Sequence, residues 1–402
     1  MTWGASCCGG DSSSVSEYLT GDVIEVVSSR RAFAALKSDG SVVAWGSPTE
    51  IDGSTAYLSY TSIVSLVATE KAFAGVTSGG AVIAFGAQCC GANVDEYGWA
   101  VDHLMSDVVS IKASAGAFAA LKTDGTVFTW GSAFSGGGVS SLTRTDLVDV
   151  VLLSSTRAAF AGLTSEGSVV SWGSTASGGV MSTSVTTELT KNTVHLISNS
   201  VAFVAITSAY GVVTWGSSTG GGDSSSVSNV LSKDVKYVAH TSCAFAALKN
   251  NGSLVVWGGS ECGGTYSASS GMSYAQNISK VIGNGMAFAA LDGDDKAYAW
   301  GNTAYGGVLS TTVKEVSKIQ GTLRAFATLN RNGTVVVWGS TSYGGEVDYP
   351  VSTYVVSGVH KLCSNDVSFS ALRTDGVGVG WGHTLSVHSS VLSGNYSSVV
   401  SC

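Results

Sequence analysis

The segment Ala32-Phe33-Ala34-Ala35-Leu36-Lys37-Ser38-Asp39-Gly40-Ser41-Val42-Val43-Ala44-Trp45-Gly46 decides the fold of this chain. Its Asp-Gly lies between two short apolar runs, and glycine accepts the positive φ of a tight turn, so the segment predicts a β-hairpin. Side chains alternate between the two faces of a strand, and here both faces are apolar. The hairpin is therefore expected to lie between two neighbouring sheets.

The same hairpin recurs along the whole chain of 402 residues. A Phe is followed twelve positions later by a second aromatic residue, and a Gly follows that residue: Phe33/Trp45, Phe73/Phe85, Phe118/Trp130, Phe160/Trp172, Phe203/Trp215, Phe245/Trp257, Phe288/Trp300, Phe326/Trp338 and Phe369/Trp381. The spacing from the second aromatic to the next Phe varies between 26 and 33 residues. A fixed core with variable connections is typical of a stack of equivalent structural units.

Two further features complete the repeated unit. An apolar run precedes each Phe, as in residues 23–27, 108–111 and 235–238, and predicts another strand. After the Trp-Gly there is often a pair of glycines, followed by Ser-rich sequence with room for an outer strand. Three or four short strands in about 42 residues describe the blade of a β-propeller, so the predicted fold class is an all-β propeller of about nine to ten blades.

Residues 1–402 are predicted to form a single repeat domain, with nine complete repeats and partial repeat units at both termini. Thr2-Trp3-Gly4 corresponds to the third strand of a unit, and residues 397–402 restart a first strand. One interpretation joins these ends into a composite blade, which removes exposed sheet edges. The other interpretation is that the chain is a segment of a longer array.

The stretch from Leu36 to Gly46 resembles the core of the regulator of chromosome condensation (RCC-type) repeat, which is aliphatic-x-x-Asp-Gly-x-Val-x-x-Trp-Gly. Residues 121–131 and 329–339 match it equally well, and the resemblance covers essentially the whole chain. It implies a propeller that presents loops to protein partners. The chain departs from the family where Ala-Phe replaces its usual His and where Gly-Gly and Ser replace its Gly-Gln-Leu-Gly run. The exchange activity on small GTPases of the founding member is not carried over to any residue.

The charge of the chain argues against a nucleic-acid ligand. Its net charge is −8, only 12% of its residues are charged, and no cluster of Lys and Arg offers a phosphate-binding surface.

A hydrophobic content of 44% indicates a chain that folds. No apolar run approaches the roughly 20 residues of a transmembrane segment. No signal peptide is visible at the start, which favours an intracellular location.

No catalytic, metal or cofactor site is predicted. The six histidines share no register and none has a metal-binding spacing such as His-Glu-x-x-His. The glycine pairs lack the Gly-Lys-Ser/Thr of a phosphate loop. The Trp series is expected to form the core rather than a stacking platform for sugars or bases. Asp39, Asp124 and Asp375 belong to turns. Among eight cysteines, Cys8, Cys90 and Cys262 share a register but lie in blades that are not neighbours. A disulfide or zinc framework is therefore not expected.

Three functions were compared. The preferred one is a non-enzymatic propeller scaffold for protein–protein interaction that is a subunit of a larger assembly, because a surface poor in charge is easily buried against a partner. The alternative is a secreted or surface lectin-like or inhibitor-like binding protein, which oxidised cysteines and glycans would favour. Four Asn-x-Ser/Thr sequons begin at Asn251, Asn277, Asn332 and Asn395, although several are expected by chance in a chain so rich in Ser and Thr. An enzyme in a central channel has the least support.

Contacts with a partner are predicted in the variable connections, because a rigid scaffold usually carries its binding residues on loops. The connections at residues 88–108 and 341–359 are the most distinctive, since they combine acids with aromatic residues. The candidate contact residues are Asp95, Glu96, Tyr97, Trp99, Glu346, Asp348, Tyr349 and Pro350. The hairpin tips, which are alike in most blades, are predicted to lie outside the contact.

Overall fold

A computed structural model describes residues 11–51, 56–58, 62–92, 104–138, 147–266, 277–382 and 390–392. Within these segments, 29 strands form nine antiparallel sheets, and each sheet consists of strands that are consecutive in the sequence. Seven sheets have three strands and two have a fourth in the described part of the chain. The predicted all-β fold of propeller blades is confirmed.

The nine blades, numbered one to nine in chain order, have equivalent strands. The first strands are β1 (Val23–Ser28), β5 (Ile63–Ala68), β8 (Val108–Ala113), β11 (Val150–Ser155), β14 (Thr193–Ser198), β17 (Val235–His240), β20 (Ile278–Gly283), β23 (Val316–Gly321) and β26 (Val359–Ser364). The second strands, which carry the Phe, are β2 (Ala32–Lys37), β6 (Ala72–Thr77), β9 (Ala117–Lys122), β12 (Ala159–Thr164), β15 (Ala202–Thr207), β18 (Ala244–Lys249), β21 (Ala287–Asp292), β24 (Ala325–Asn330) and β27 (Ser368–Arg373). The third strands are β3 (Val42–Gly46), β7 (Val82–Gly86), β10 (Val127–Gly131), β13 (Val169–Gly173), β16 (Val212–Gly216), β19 (Leu254–Gly258), β22 (Ala297–Gly301), β25 (Val335–Gly339) and β28 (Gly378–Gly382). The outer strands are β4 (Ala56–Leu58) and β29 (Ser390–Leu392).

Helices are short and lie in the connections. Two are α-helical, α1 (Thr183–Glu188) and α2 (Ser228–Leu231). The others are 3₁₀ helices at Ser13–Leu19, Gln88–Cys90, Ala133–Ser135, Thr175–Ser177, Ser218–Gly220, Ser225–Val227, Ser260–Cys262, Thr303–Tyr305, Thr341–Tyr343 and Val351–Thr353. Three-residue turns of this kind have no periodicity for the sequence to show. None of the helices in the described segments has the length and apolarity that a membrane crossing requires.

The Phe and Trp of each blade form its core. Phe33 lies directly opposite Trp45 in the β2–β3 ladder, with ring centroids 5.4 Å apart. The equivalent ring pairs of the other blades are separated by 5.1 to 5.7 Å. Every second aromatic of a pair is 6% exposed or less. The predicted core role of the Trp series is confirmed, because rings this buried offer no face to a ligand.

The chain divides into two compact units. Residues 1–208 with 213–217 form the first, and residues 209–212 with 218–402 form the second. Blades one to five belong to the first unit, apart from the hairpin turn of blade five, and blades six to nine belong to the second. The terminal segments that were predicted to form a composite blade, residues 1–10 and 393–402, lie outside the described residues.

Candidate protein-interaction surface

The glycine after each Trp-Gly joins one blade to the next. Gly263 has φ +88, and a Cβ added to it would lie 2.8 Å from Cδ2 of Phe288 in the following blade. Its carbonyl oxygen accepts a 3.0 Å hydrogen bond from Nε1 of Trp300. The same bond, at 2.9 to 3.2 Å, joins Trp130 to Gly91, Trp215 to Gly178, Trp257 to Gly221, Trp338 to Gly306 and Trp381 to Gly344. These glycines therefore allow close packing between blades, and each lies directly against the aromatic pair of the next blade.

The hairpin tips also contact the following blade. The carbonyl oxygen of Gly40 accepts a 3.0 Å hydrogen bond from the backbone N–H of Ile63, the first residue of β5. The two tips without glycine at this position keep the same left-handed conformation, with φ 60 at Tyr210 and φ 59 at Asp295. The first strands of blades two to nine all begin at such a bond. Corresponding residues of these strands therefore occupy equivalent positions along each unit.

A backbone ladder connects the turns between first and second strands. In the first unit, the N–H of each turn donates to the carbonyl oxygen of the next, in the order Arg30, Glu70, Ala115, Arg157 and Ser200. In the second unit the order is Ser242, Gly285, Leu323 and Asp366. All seven hydrogen bonds are 2.8 to 3.0 Å long. Adjacent blades are thus held together by main-chain atoms at this edge.

Each first strand carries a β-bulge at its second residue. In β1, Val23 pairs with Lys37 and Glu25 pairs with Leu36, so Ile24 has no partner in the ladder. The side chains of these bulged residues are exposed in every blade. Bulges re-aim a side chain away from the regular pleat, and here they turn it towards solvent.

The bulged residues of the first unit are all apolar and β-branched. They form what we call the bulge row: Ile24, Val64, Val109, Val151 and Val194, exposed by 63%, 57%, 56%, 57% and 42% respectively. Their strands contact one another in succession, β1 with β5, β5 with β8, β8 with β11 and β11 with β14. The row therefore consists of five exposed apolar side chains at the same position of successive, neighbouring first strands of one unit.

The second unit is polar at the same position. Its bulged residues are Lys236, Ser279, Ser317 and His360. The residues that follow three of these bulges are Lys280, Lys318 and Lys361. Partial burial, together with the positive charges of Lys280 and Lys361, lowers the pKa of Lys318, whose Nζ donates a 2.9 Å hydrogen bond to the carbonyl oxygen of Leu362. The apolar character of the bulge row is thus not a requirement of the blade.

The sequence did not lead us to the bulge row, although the signal is visible in it. The second residue of each first strand is Ile or Val in five successive repeats and polar in the next four. Simple alternation of faces along a strand does not identify this position, because the bulge changes the alternation.

The candidate residues after Trp338 lie in a connection that is exposed but anchored. Glu346, Asp348, Tyr349 and Pro350 are all exposed. Tyr349 retains 82% of its accessible surface. The buried residues that hold this segment against the core of blades eight and nine are Val351 and Val355. The other four candidates, Asp95, Glu96, Tyr97 and Trp99, lie outside the described residues.

The expectation that the cysteines form no disulfide is wrong. Cys243, just before β18, is bonded to Cys262, the last residue of the 3₁₀ helix Ser260–Cys262, with their Cα atoms 5.7 Å apart. Cys363 is also disulfide-bonded. The shared register of Cys8, Cys90 and Cys262 does not mark this bond, because Cys262 pairs with a cysteine only 19 positions earlier. The Glu261 carboxylate lies within 4.8 Å of both sulfur atoms, but a disulfide offers no thiolate to a metal.

Among the described residues, Cys89 and Cys90 are free thiols. Burial, together with the hydrogen bond and charge of Cys89, raises the pKa of Cys90 to about 12. A thiol protonated over the physiological range is a poor nucleophile and a poor metal ligand. Cys90 is therefore not a reactive thiol of the kind that a low-pKa cysteine provides.

Comparison with known proteins finds similar structures but no matching sequence. No family model matches the sequence, and no curated protein matches it significantly. The structure is similar to Prp20p from Saccharomyces cerevisiae, which is yeast RCC1, with 13% identity, a TM-score of 0.35, and coverage of 62% of this chain and 75% of that one. It is also similar to the ectodomain of the Arabidopsis thaliana receptor kinase ACR4, with 16% identity, a TM-score of 0.37, and coverage of 83% and 97%.

Structures of yeast RCC1 are thus among those to which this chain is similar. Human WBSCR16 is a further similar structure, at 16% identity and a TM-score of 0.33, covering 70% of this chain and 81% of that one. Identities in this range describe a divergent repeat. They concern the architecture of the blades and assign no activity to this chain.

Proposed function

We propose that this protein is a non-enzymatic scaffold that binds a protein partner, and that the bulge row forms part of its binding surface. The observation that supports the proposal is the line of five exposed β-branched side chains on successive blades of the first unit. Contiguous exposed apolar surface of this kind typically marks a site of protein interaction. The net charge of −8 favours a protein ligand over a nucleic acid.

The chemistry of the row describes the partner. Val64, Val109 and Val151 are rigid side chains that lose little entropy when they are buried. They offer no charge and no side-chain hydrogen-bonding group, so the complementary surface is apolar at its centre. We propose that the partner supplies aliphatic or aromatic side chains to this line, with polar groups at its rim.

A second contact segment is proposed in the connection after Trp338. Tyr349 is a large, exposed aromatic residue on a segment anchored by Val351, and Glu346 and Asp348 flank it with negative charge. Aromatic anchors with a polar rim are typical of interface residues. Asp95, Glu96, Tyr97 and Trp99, together with Pro350, remain proposed contacts on the same reasoning.

One observation favours the alternative of a secreted or surface binding protein. The Cys243–Cys262 disulfide is of a kind that persists in oxidising compartments and is rare in the cytosol. This observation concerns the location of the protein. A binding surface on the bulge row is compatible with either compartment.

The test is a charge substitution in the row with a matched control in the other unit. The double variant Val109→Asp, Val151→Asp places two carboxylates in the row, and Ser279→Asp, Ser317→Asp places them at the equivalent bulges of blades seven and eight. Partners are identified by cross-linking wild-type protein in extracts of its source, and affinities are then measured with the purified partner. We expect the row variant to weaken binding at least tenfold and the control to leave it within about twofold, with both folded by circular dichroism.

Two outcomes would count against the proposal. Equal losses in the row variant and the control variant would indicate a general effect of charge. Unchanged binding by the row variant would remove the row from the interface, and Tyr349→Ala would then test the second contact segment on its own.

A further inference from the structure

We infer that Asn251 and Asn332 are acceptors for N-linked glycans. Both lie at hairpin tips, in Asn251-Gly252-Ser253 between β18 and β19 and in Asn332-Gly333-Thr334 between β24 and β25. Both side chains are exposed. The Asn-x-Ser/Thr pattern is the acceptor sequence for N-glycosylation, provided that it lies on the surface of a protein that reaches the secretory pathway.

The geometry of the two turns presents the reactive atom. Oδ1 of Asn251 accepts hydrogen bonds from the backbone N–H and the hydroxyl of Ser253, at 3.0 and 2.7 Å. Oδ1 of Asn332 accepts the same pair from Thr334, at 3.0 and 2.8 Å. The carbonyl side of each amide is therefore held against the turn, and Nδ2 faces away from it. Two donors on the oxygen also draw electrons from the amide nitrogen and make its protons easier to remove.

The sequon at Asn277 differs in each of these respects. Ile278 is buried as the first residue of β20. The Ser279 hydroxyl donates to the carbonyl oxygens of Leu291 and Asp292, at 3.2 and 3.0 Å, and not to Asn277. The folded blade therefore does not present this sequon. Asn395 lies outside the described residues.

The transfer requires an activated sugar and a glycosyltransferase. Nδ2 of the asparagine attacks the anomeric carbon of a glycosyl diphosphate, and an Nδ2–C1 bond forms as the bond from C1 to the diphosphate oxygen breaks. The diphosphate leaves with the bonding electron pair, and one amide proton is lost to a base of the transferase. The product is a neutral glycosyl amide that keeps Oδ1 available to the turn.

The disulfide is independent support for the required compartment. Cys243–Cys262 closes a loop within blade six, the blade whose hairpin carries Asn251. Disulfides of stable domains form and persist in the oxidising environments that glycosylated proteins pass through. The two observations rest on different residues and point to the same compartment.

The chain contains matched turns for the experiment. Asp124 Oδ1 accepts hydrogen bonds from the backbone N–H and the hydroxyl of Thr126, at 2.9 and 2.6 Å, in the same turn geometry. Asparagine in place of Asp124 would complete a sequon with the Gly125-Thr126 that follows. Conversely, Asp in place of Asn251 or Asn332 keeps the acceptor oxygen and removes the nitrogen that would be glycosylated.

The first measurement is glycopeptide mass spectrometry of the full chain from its native source. Deglycosylation with an amidase in ¹⁸O water labels formerly glycosylated asparagines, and a parallel incubation without the amidase measures the label that Asn-Gly pairs acquire by spontaneous deamidation. We expect the label at Asn251 and Asn332. Both peptides without glycan, or glycan at Asn277 or Asn395 alone, would overturn the inference.

The second measurement uses the full chain directed through the secretory pathway of eukaryotic cells. We expect Asn251→Asp and Asn332→Asp each to remove one glycan from the wild-type protein, and Asp124→Asn to add one, with secretion and thermal stability retained. A folded Asp124→Asn protein that gains no glycan would show that this turn does not present an acceptor, and would overturn the inference.

Discussion

Trp300 Nε1 donates a hydrogen bond to the carbonyl oxygen of Gly263 in the connection that precedes its blade, 3.0 Å away. The interface between blades one and two shows what this pair requires. At this interface Ile51 occupies the position that is glycine at the other described interfaces. Phe85 likewise occupies the position of the Trp. Ile51, Phe73 and Phe85 are buried together in one cluster. At this interface glycine and Trp are thus both replaced, and the Ile51 side chain packs against the aromatic pair of the next blade.

Gly263→Ala is expected to destabilise the protein by about 2–4 kcal/mol. The added methyl group meets the Phe288 ring and sits on a backbone with positive φ, and both effects are unfavourable. Gly21→Ala is the control, since no atom lies within 4 Å of its added Cβ. Urea unfolding followed by Trp fluorescence measures both variants. Equal stabilities of the two would contradict the proposed role of the glycine.

Tyr210→Gly is expected to stabilise the protein by about 1 kcal/mol. Tyr210 adopts φ 60 with an exposed side chain, and a non-glycine residue in this region carries backbone strain that glycine relieves. The reciprocal change, Gly40→Ala, is expected to destabilise, because its Cβ would lie 2.5 Å from the backbone nitrogen of Ser62. Thermal unfolding by differential scanning calorimetry compares them. A lower melting temperature for Tyr210→Gly would mean that the ring makes contacts worth more than the strain.

Removal of the Cys243–Cys262 disulfide by the double variant Cys243→Ala, Cys262→Ala is expected to cost about 2–4 kcal/mol. The two residues are separated by 19 positions, and opening this loop restores entropy to the unfolded chain. Cys89→Ala, which removes an exposed free thiol, is expected to change stability by less than about 0.5 kcal/mol. If a reductant left the wild-type unfolding curve unchanged, the disulfide would contribute no stability.

The hairpin of blade three is expected to weaken in acid. The hydroxyl and the backbone N–H of Thr126 lower the pKa of Asp124 below its usual value of 3.8. Because the pKa is lower in the folded state, the stabilisation is complete above the unfolded-state pKa and is lost as the pH falls through the folded-state value. Asp124→Asn keeps the acceptor oxygen without titrating, so this dependence should disappear. Side-chain carboxyl NMR from pH 2 to 6 measures the shift, and an ordinary pKa for Asp124 would contradict it.

The parts of the fold that were predicted correctly depend on neighbours in the sequence. The hairpin from Ala32 to Gly46 contains its own turn, its alternating faces and the Phe33–Trp45 pair, so local rules suffice for it. The first strands were also located, and β8 (Val108–Ala113) contains the apolar run predicted at residues 108–111. Local sequence patterns of this kind do not identify which residues of the following blade contact each of these residues.

The candidate surface was predicted less well for the same reason. The bulge that exposes Ile24 depends on how β1 pairs with β2, and the Cys243–Cys262 bond depends on where a 3₁₀ turn folds back. Both features depend on contacts between residues of the same blade. The separation of these residues in the sequence does not match the repeat period. The contacts predicted at Tyr349 and its neighbours stay predictions, because exposure alone does not identify a partner.

The backbone ladder has a consequence for the history of such a chain. Its rungs join Arg30, Glu70, Ala115, Arg157 and Ser200, five residues with little in common except a main chain. Since amide and carbonyl groups make these bonds, selection is free to change the side chains along this edge without disturbing how one blade sits on the next. A duplicated blade can form the same main-chain hydrogen bonds to its neighbours. The side chains at its edge can then change. New binding specificities could accumulate there at little cost to folding.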